Sequence, residues 1–163
     1  VNQAGGGHRP FEEGIALARD AAGKALSIDP DFAQAHDLLG WIALLHNDFA
    51  ASARHFGRAL GLQPTNVSIV SNASALLSSL GRFDDAIALQ EYHVDRDPVS
   101  AVAHANLGAS YWLAGRWDES IASTRTALRL SPDYPGAHLH LGLAMLFGGD
   151  PAGAAARPST RSE

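Results

Sequence analysis

One unit of sequence recurs every 34 residues along most of this chain. Four prolines keep that interval, at positions 30, 64, 98 and 132. Gly40, Gly108 and Gly142 keep it as well, with Ser74 in the remaining position. Two similar phrases, GRFDDAI from residue 81 and GRWDESI from residue 115, show the same spacing. A sequence with this periodicity folds by stacking copies of one supersecondary unit, so most of the chain is expected to be a repeat array.

Each unit has the pattern of two antiparallel helices. Apolar residues follow the helical period for about a dozen residues, break at Asn47, Gly81, Gly115 or Gly149, and resume until just before the next proline. A left-handed residue at such a break ends one helix, and acidic residues then favour the first turn of the next; these are Asp84, Asp85, Asp118 and Glu119. The pattern predicts helices over 11–28, 33–46, 49–62, 67–80, 83–96, 101–114, 117–130 and 135–148.

The third unit carries Leu107, Gly108, Tyr111, Ala127 and Pro132. In these positions it resembles the tetratricopeptide repeat (TPR), whose unit has the same length. Single positions depart from the family pattern in the second and third units, namely Ser74 for glycine, Gln90 and Thr124 for an aromatic residue, and His93 for alanine. The resemblance covers about residues 10–156. It implies an all-α solenoid of tandem helix-turn-helix repeats that forms a right-handed superhelix.

The 34-residue register divides the chain into a lead, an array and a tail. We expect a flexible lead over residues 1–9 and a disordered tail over 158–163. The array over 10–157 comprises a half repeat 11–32, full repeats 33–66, 67–100 and 101–134, and a partial repeat 135–157. Because the first and last helices lack partners in this register, we expect the chain to be a segment of a longer protein, with a bacterial type of array.

Composition removes several classes of function. A net charge of −5 gives no attraction to nucleic acid or to anionic membranes. The longest nearly uncharged apolar stretch, 138–149, is too short to cross a bilayer, which takes about 20 residues. Without cysteine the chain suits cytoplasm and periplasm, so the compartment stays open, with the cytoplasm slightly favoured. No catalytic or phosphate-binding motif is present, which predicts a protein that is not an enzyme and needs no cofactor.

Eight histidines raise the question of a metal site, and their spacing argues against one. His36, His104 and His138 occupy one repeat position, which favours a packing role. His138 and His140 are two residues apart, whereas a metal-binding pair on a helix needs a spacing of three or four. We therefore expect no bound metal.

In the family that this chain resembles, the first helices of the repeats line a concave groove that holds protein segments. Here the stretches 33–46, 67–80, 101–114 and 135–148 contain no lysine or arginine, and Asp37 is their single acid. TPR domains that serve heat-shock chaperones resemble one another in a basic clamp at these helices, and that clamp is absent. A C-terminal carboxylate or a phosphopeptide would stay unpaired in such a groove, so a neutral segment is expected.

Candidate contact residues follow from the same register. The position occupied by Leu38, Asn72, Asn106 and His140 resembles the asparagine ladder with which O-linked sugar transferases of this family hold a peptide backbone; ordinary polar lining is the alternative. Apolar contacts are expected from Trp41, Trp112, Leu113 and Phe147, unless these side chains pack in the core. Trp112, expected on the face of Asn106, is the preferred single contact.

Three functions remain open at this point. The first is a non-catalytic scaffold that binds a protein or peptide segment. The second is a substrate-recruiting or regulatory arm of a larger enzyme or signalling protein, such as a sugar transferase, a nucleotide cyclase or a winged-helix regulator, whose bacterial repeat arms the chain resembles. The third is self-association as a homodimer through the last helix, where Leu141, Met145 and Leu146 are expected to be exposed because no further helix covers them.

Overall fold

The computed structural model describes residues 11–148, and within this range it contains eight α-helices and no strand. Their bounds are α1 Phe11–Ile28, α2 Ala33–Leu45, α3 Phe49–Leu62, α4 Val67–Ser79, α5 Phe83–Arg96, α6 Ala101–Leu113, α7 Trp117–Leu130 and α8 Pro135–Phe147. The all-α repeat fold is confirmed, and each helix lies within one residue of its predicted bounds. The expected lead at 1–9, the break at Gly149, the end of the partial repeat and the tail at 158–163 lie outside the described residues.

The helices belong to two compact units, which divide between residues 64 and 65. In the first unit, α2 packs against α1 and α3. In the second unit, each helix from α4 to α8 packs against the next in the chain, and α6 also contacts α4 and α8. The first helices of successive repeats in the second unit are therefore neighbours, as stacked helix pairs require.

A left-handed residue ends the first helix of each full repeat. Asn47, Gly81 and Gly115 have φ angles of 59°, 72° and 73°. The next residue donates its backbone N–H to a carbonyl five residues earlier, as in Arg82 to Leu77 at 2.8 Å and Arg116 to Tyr111 at 2.9 Å. This is the Schellman geometry, which satisfies carbonyls at a helix end, so these three predicted breaks are confirmed.

The two helices of each repeat approach closely at one small residue. A Cβ atom added to Gly40 would lie 2.7 Å from the ring of Phe56. A Cβ added to Gly108 would lie against Thr124 Oγ1 and 3.3 Å from the backbone of Ser120. The hydroxyl of Ser120 donates to the Gly108 carbonyl at 2.7 Å across the same contact. Backbone contact this close requires glycine and holds α6 against α7.

Three histidines at one repeat position make the same hydrogen bond. Nε2 of His36, His104 and His138 lies 3.1, 3.0 and 2.7 Å from the carbonyl oxygen of the proline six residues earlier. Each ring thus ties the start of one helix to the turn that precedes it, where a carbonyl has left the helical ladder. Sequence spacing indicated a packing role for these residues and gave no sign of this bond.

The last described helix does not expose all the residues that were expected on its surface. Met145 is only 5% exposed, because it lies beside fully buried Ala144 on the side of α8 that packs against α6 and α7. The prediction that Met145 is exposed for self-association is wrong. Leu141 is half-buried. Leu146, the residue after Met145, is 57% exposed because it points to another side of the helix.

Within residues 11–148, none of the helices has the length and apolar character that crossing a membrane requires.

The close contact at Gly108 yields a stability prediction. Gly108→Ala should lower the free energy of unfolding by about 2 kcal/mol, because the new methyl group overpacks the α6–α7 contact. The matched control is Gly57→Ala on the exposed side of α3, where an added Cβ meets nothing within 4 Å; it should raise stability by about 1 kcal/mol through helix propensity. Urea unfolding followed by far-ultraviolet circular dichroism measures both. An equal increase in the free energy of unfolding of both variants would contradict the close contact between Gly108 and α7.

Candidate functional site

The first helices of the second unit form a row without formal charge. α4, α6 and α8 contact one another through α6, and none of them contains lysine, arginine, aspartate or glutamate. Among residues 65–148, the described part of this unit, the charged residues lie on α5, on α7 and in the connecting turns. A ligand on these three helices therefore meets amides, hydroxyls, imidazoles and apolar groups, and it finds no lysine, arginine, aspartate or glutamate on the helices themselves.

Asn106 connects two of these helices. Its Nδ2 donates a hydrogen bond of 2.6 Å to the hydroxyl of Ser71, which joins α6 to α4. Asn72 on α4 and His140 on α8 occupy the equivalent repeat position, and all three side chains are half-buried. The bond to Ser71 holds the Asn106 side chain between the two helices, and the end of the amide that does not bond to Ser71 remains to donate or accept elsewhere.

A pocket of about 160 Å³ lies beside Asn106. It is lined by residues of three helices: Ser71, Ser74, Ala75 and Ser78 of α4, Gln90 of α5, and Asn106, Ala109, Ser110 and Leu113 of α6. None of the nine side chains carries a formal charge and four of them are serine, although most of the surface that they turn to the pocket is apolar. Among the expected contact residues, Asn106 and Leu113 are brought together at this pocket.

Gln90 is the most deeply buried polar residue of the pocket, at 2% exposure. Its Nε2 donates to Ser74 Oγ at 3.2 Å, whereas its Oε1 is buried without a hydrogen-bond partner among the described residues. A buried amide oxygen without a partner is unusual, since most such groups are hydrogen-bonded. The sequence marked Ser74 and Gln90 only as departures from the repeat. Ser74 and Gln90 occupy the positions that hold Gly40 and Phe56 in one repeat and Gly108 and Thr124 in another. Because these positions face each other, the register could have indicated that Ser74 and Gln90 are paired.

Trp112 belongs to an aromatic cluster on the opposite side of α6. Its ring centroid lies 6.5 Å from that of Trp117 and 6.4 Å from that of Phe147, and Trp117 stacks on Phe147 at 5.8 Å. Six residues separate Trp112 from Asn106, which rotates it by about 120° around the helix. The prediction that both share a face is therefore wrong, whereas Leu113, seven residues after Asn106, does share it.

Other expected contact residues are more accessible. Phe147 is exposed despite its contacts in the aromatic cluster. Trp41, in the first unit, is 39% exposed on α2. Each of these side chains offers apolar area at a helix surface, which is the property that an anchor for a partner needs.

The first unit has a different, charged pocket. It measures about 390 Å³ and is lined by Arg19, Leu39, Ile42, Ala43, His46, Asp48, Ala51 and His55. Nδ1 of His55 lies 3.2 Å from Nδ1 of His36, and burial together with the neighbouring His36 and Arg54 lowers the pKa of His55. The pocket of the first unit thus carries charged side chains, whereas the first helices of the second unit carry no lysine, arginine, aspartate or glutamate.

Within residues 11–148, no group of three histidine, cysteine, aspartate or glutamate side chains is placed to hold a metal ion. Three of the histidines instead bond to proline carbonyls, as described above.

His140 is the one titratable group at the shared asparagine position. Burial lowers its pKa from the usual value near 6.5, and its Nδ1 has no hydrogen-bond partner among the described residues. Proton uptake at His140 is therefore disfavoured in the folded state, and this side chain stays uncharged to a lower pH than free histidine would.

Known proteins match much of this chain. A family model described as a tetratricopeptide repeat matches residues 8–67, and another described as a TPR repeat matches residues 110–146. The Hsp70-Hsp90 organizing protein of Triticum aestivum is 36% identical over 114 residues, which are 70% of this chain and 18% of that protein. The chain thus spans less than a fifth of the length of this relative.

Solved structures resemble the fold. PilW, a type IV pilus biogenesis factor, superposes with a TM-score of 0.76 at 21% identity, over 88% of this chain and 66% of PilW. A mutant O-GlcNAc transferase of Thermobaculum terrenum is 31% identical with a TM-score of 0.59, over 69% of this chain and 22% of the transferase. At its level of identity, PilW shows the likeness of the fold alone.

The lowered pKa of His140 gives a pH prediction. The unfolded chain takes up the proton at higher pH than the folded chain, so this residue lowers stability as the pH falls through about 6.5 toward the folded pKa. His140→Gln should therefore lose less unfolding free energy than the wild type between pH 7.5 and pH 5. His55 and His93, whose pKa values are also lowered by burial, are present in both proteins and cancel in the comparison. Equal losses in urea unfolding at the two pH values would contradict the effect.

The aromatic cluster predicts that Trp112 is needed for stability. Trp112→Ala should lower the free energy of unfolding by about 2 kcal/mol, because it removes the ring that packs on Trp117 and Phe147. Trp41→Ala, a truncation of the same size at a more exposed ring, serves as the control and should cost less than half as much. Denaturant unfolding followed by circular dichroism compares the two, and equal costs would show that the cluster contributes little.

Proposed function

Because this chain belongs to the tetratricopeptide repeat family, whose repeats generally mediate protein–protein interaction, we propose that it is a non-catalytic scaffold for an uncharged protein segment. The segment lies along α4, α6 and α8 of the second unit. The observation that carries the proposal is the absence of formal charge from all three helices, combined with amide and hydroxyl groups at their surface.

The charge pattern distinguishes this segment from other ligands. A terminal carboxylate or a phosphate needs a cation within hydrogen-bond distance to offset the loss of its hydration. α4, α6 and α8 offer none, so the proposed partner contributes an internal stretch of chain. The wheat relative is named for organizing Hsp70 and Hsp90, and the present chain lacks basic residues on its first helices with which to bind a charged terminus.

Individual contacts follow from the geometry of the second unit. Asn72, Asn106 and His140 bind the backbone of the segment, since amides and neutral imidazole both donate and accept hydrogen bonds. Leu113, beside the pocket, contacts an apolar side chain. The exposed edge of Phe147, supported by Trp112, provides a second apolar contact on α8. Trp41 supplies a separate apolar contact in the first unit.

A substrate-recruiting arm of a larger enzyme is a second candidate. The likeness to the Thermobaculum terrenum O-GlcNAc transferase, at 31% identity over 69% of this chain, favours a sugar transferase over the signalling proteins. In that case the same uncharged row holds the segment that a catalytic domain acts on. Fusion of the chain to a catalytic domain in the full gene would support this role.

Self-association is a third candidate, based on the exposed side of α8. Leu139 and Leu146 are both more than half exposed and are seven residues apart, which places them on one face of the helix. Light scattering across a dilution series should show a dimer that Leu146→Asp converts to a monomer. A monomer at every concentration would remove this candidate. Met145→Asp would not test this surface, because Met145 is buried and a buried carboxylate would disrupt the packing of α8.

The main proposal predicts a salt-independent interaction that depends on Asn106. Random twelve-residue peptides displayed on phage and selected on the immobilised chain should yield uncharged sequences. Their dissociation constants should change by less than about twofold between 50 and 300 mM salt, because no ion pair forms. Asn106→Leu should weaken binding by about tenfold through loss of hydrogen bonds to the peptide.

The control for this prediction is Arg125→Ala, an exposed position on α7, which should bind as the wild type does. Thermal melting of each variant shows that the fold is retained. Selection of charged peptides whose affinity falls steeply with salt, or full binding by Asn106→Leu, would contradict the proposed function.

A further inference from the structure

We propose that the pocket of the first unit, between α1, α2 and α3, binds the ring of a phenylalanine or tyrosine side chain from a partner protein. It is a second binding site, in a different unit from the uncharged helices α4, α6 and α8, and it does not depend on the function proposed for them. It depends on three features of the pocket: the ring that is missing from it, its apolar walls, and the mixed charge at its edge.

The second unit shows which side chain fills the equivalent space. There the ring of Tyr111 on α6 packs with Ile87 and Leu107 in a buried cluster. Its hydroxyl donates to Glu91 on α5 at 2.5 Å, and the guanidinium of Arg116 lies 4.8 Å from the centroid of the ring. An aromatic ring thus fills the space between the second helix of one repeat and the first helix of the next.

The first unit lacks this ring. Two repeat lengths before Tyr111 the chain has Ala43, and two repeat lengths before Ile87 it has Arg19. Arg19 and Ala43 both line the pocket, together with Leu39, which keeps the leucine of the cluster. Because a methyl group replaces a phenol ring, a space of about 390 Å³ remains, which is within the size range of ligand sites.

The walls of this space suit an aromatic ring. Most of the surface turned to the pocket is apolar, and it comes from Leu39, Ile42, Ala43 and Ala51. Leu39, Ala43 and Ala51 are only half-buried, so a ligand that enters the pocket reaches them. A phenyl or phenol ring buries a large apolar area at the cost of few rotatable bonds, and it gains most from such walls.

The edge of the pocket carries both signs of charge, which disfavours a charged ligand. Arg19 would repel a cation, whereas the carboxylate of Asp48 and that of Glu12, 3.9 Å from His46 Nε2, would repel an anion. His55 adds no charge at neutral pH, because burial lowers its pKa. A neutral aromatic ring avoids both repulsions, and its electron-rich face attracts the guanidinium of Arg19.

Two variants fill the pocket from within the chain. Ala43→Tyr introduces the residue that the third repeat has at this position, and Ala43→Leu introduces the residue that the second repeat has there, Leu77. Ala53→Tyr is the matched control, since Ala53 is exposed on α3 and does not line the pocket. Thermal melting shows that each variant folds, and Ala43→Leu serves alone if Ala43→Tyr does not.

The probe is N-acetyl-tyrosinamide, titrated into the isotopically labelled chain. Chemical shifts of Leu39 and Ala51 should change and saturate in the wild type and in Ala53→Tyr. The dissociation constant should rise about tenfold in both Ala43 variants, because their own side chains occupy the space. It should rise about threefold in Arg19→Gln through loss of the cation beside the ring. N-acetyl-leucinamide should bind the wild type about fivefold more weakly than the aromatic probe.

Peptides then test whether the ligand is a protein side chain. Random peptides displayed on phage and selected on the wild type should include a group with phenylalanine or tyrosine at one fixed position. Members of this group should bind Ala43→Tyr, or Ala43→Leu in its place, about tenfold more weakly and Ala53→Tyr as well as the wild type.

Several results would overturn the proposal. These are the absence of saturable shifts at Leu39 and Ala51, shifts that persist unchanged in the Ala43 variants, and equal affinities for the two probes. If the aromatic probe binds as expected but no selected peptide loses affinity in the Ala43 variants, the pocket takes a free aromatic compound, and its role in binding a partner protein is overturned. None of these results decides the function proposed for α4, α6 and α8, which Asn106→Leu tests separately.

Discussion

In each of the three full repeats, a small residue of the first helix lies directly against a side chain of the second, and the distance between the paired helices depends on that contact. Gly40 accommodates Phe56, and Gly108 accommodates Thr124 with almost no free space. Because the two helices lie close together, the connection between them is short, and one left-handed residue at the end of each first helix reverses the direction of the chain. Within the second unit, the tight turn and the close contact together allow one helix pair to stack on the next.

The same contact explains why the second repeat differs from the others. Serine and glutamine at the facing positions replace a filled apolar contact with a hydrogen bond, and a buried amide is left with one unsatisfied end. Such a feature costs stability, because a buried polar group without a partner loses its hydration.

Much of the fold could be predicted from the sequence, because helix ends and helix pairs depend on local signals that the 34-residue register repeats. Contacts between helices were harder to foresee. The bond from Asn106 to Ser71 joins residues 35 positions apart, and the pocket depends on which of two faces each helix turns toward its neighbour. The rotation of Trp112 away from Asn106 and the burial of Met145 were mispredicted for the same reason, since one residue along a helix changes the direction of a side chain by about 100°. The bonds from histidine to proline carbonyls involve side-chain geometry that the spacing alone does not reveal.

Binding of an uncharged partner segment along the first helices of the second unit can be mapped with backbone amide chemical shifts. The isotopically labelled chain is titrated with an uncharged peptide selected on it. If the segment lies there, the largest changes should occur on α4, α6 and α8 and include Asn106 and Leu113, with little change on the exposed sides of α5 and α7. Changes concentrated on α5 and α7, where the charged residues lie, would contradict it.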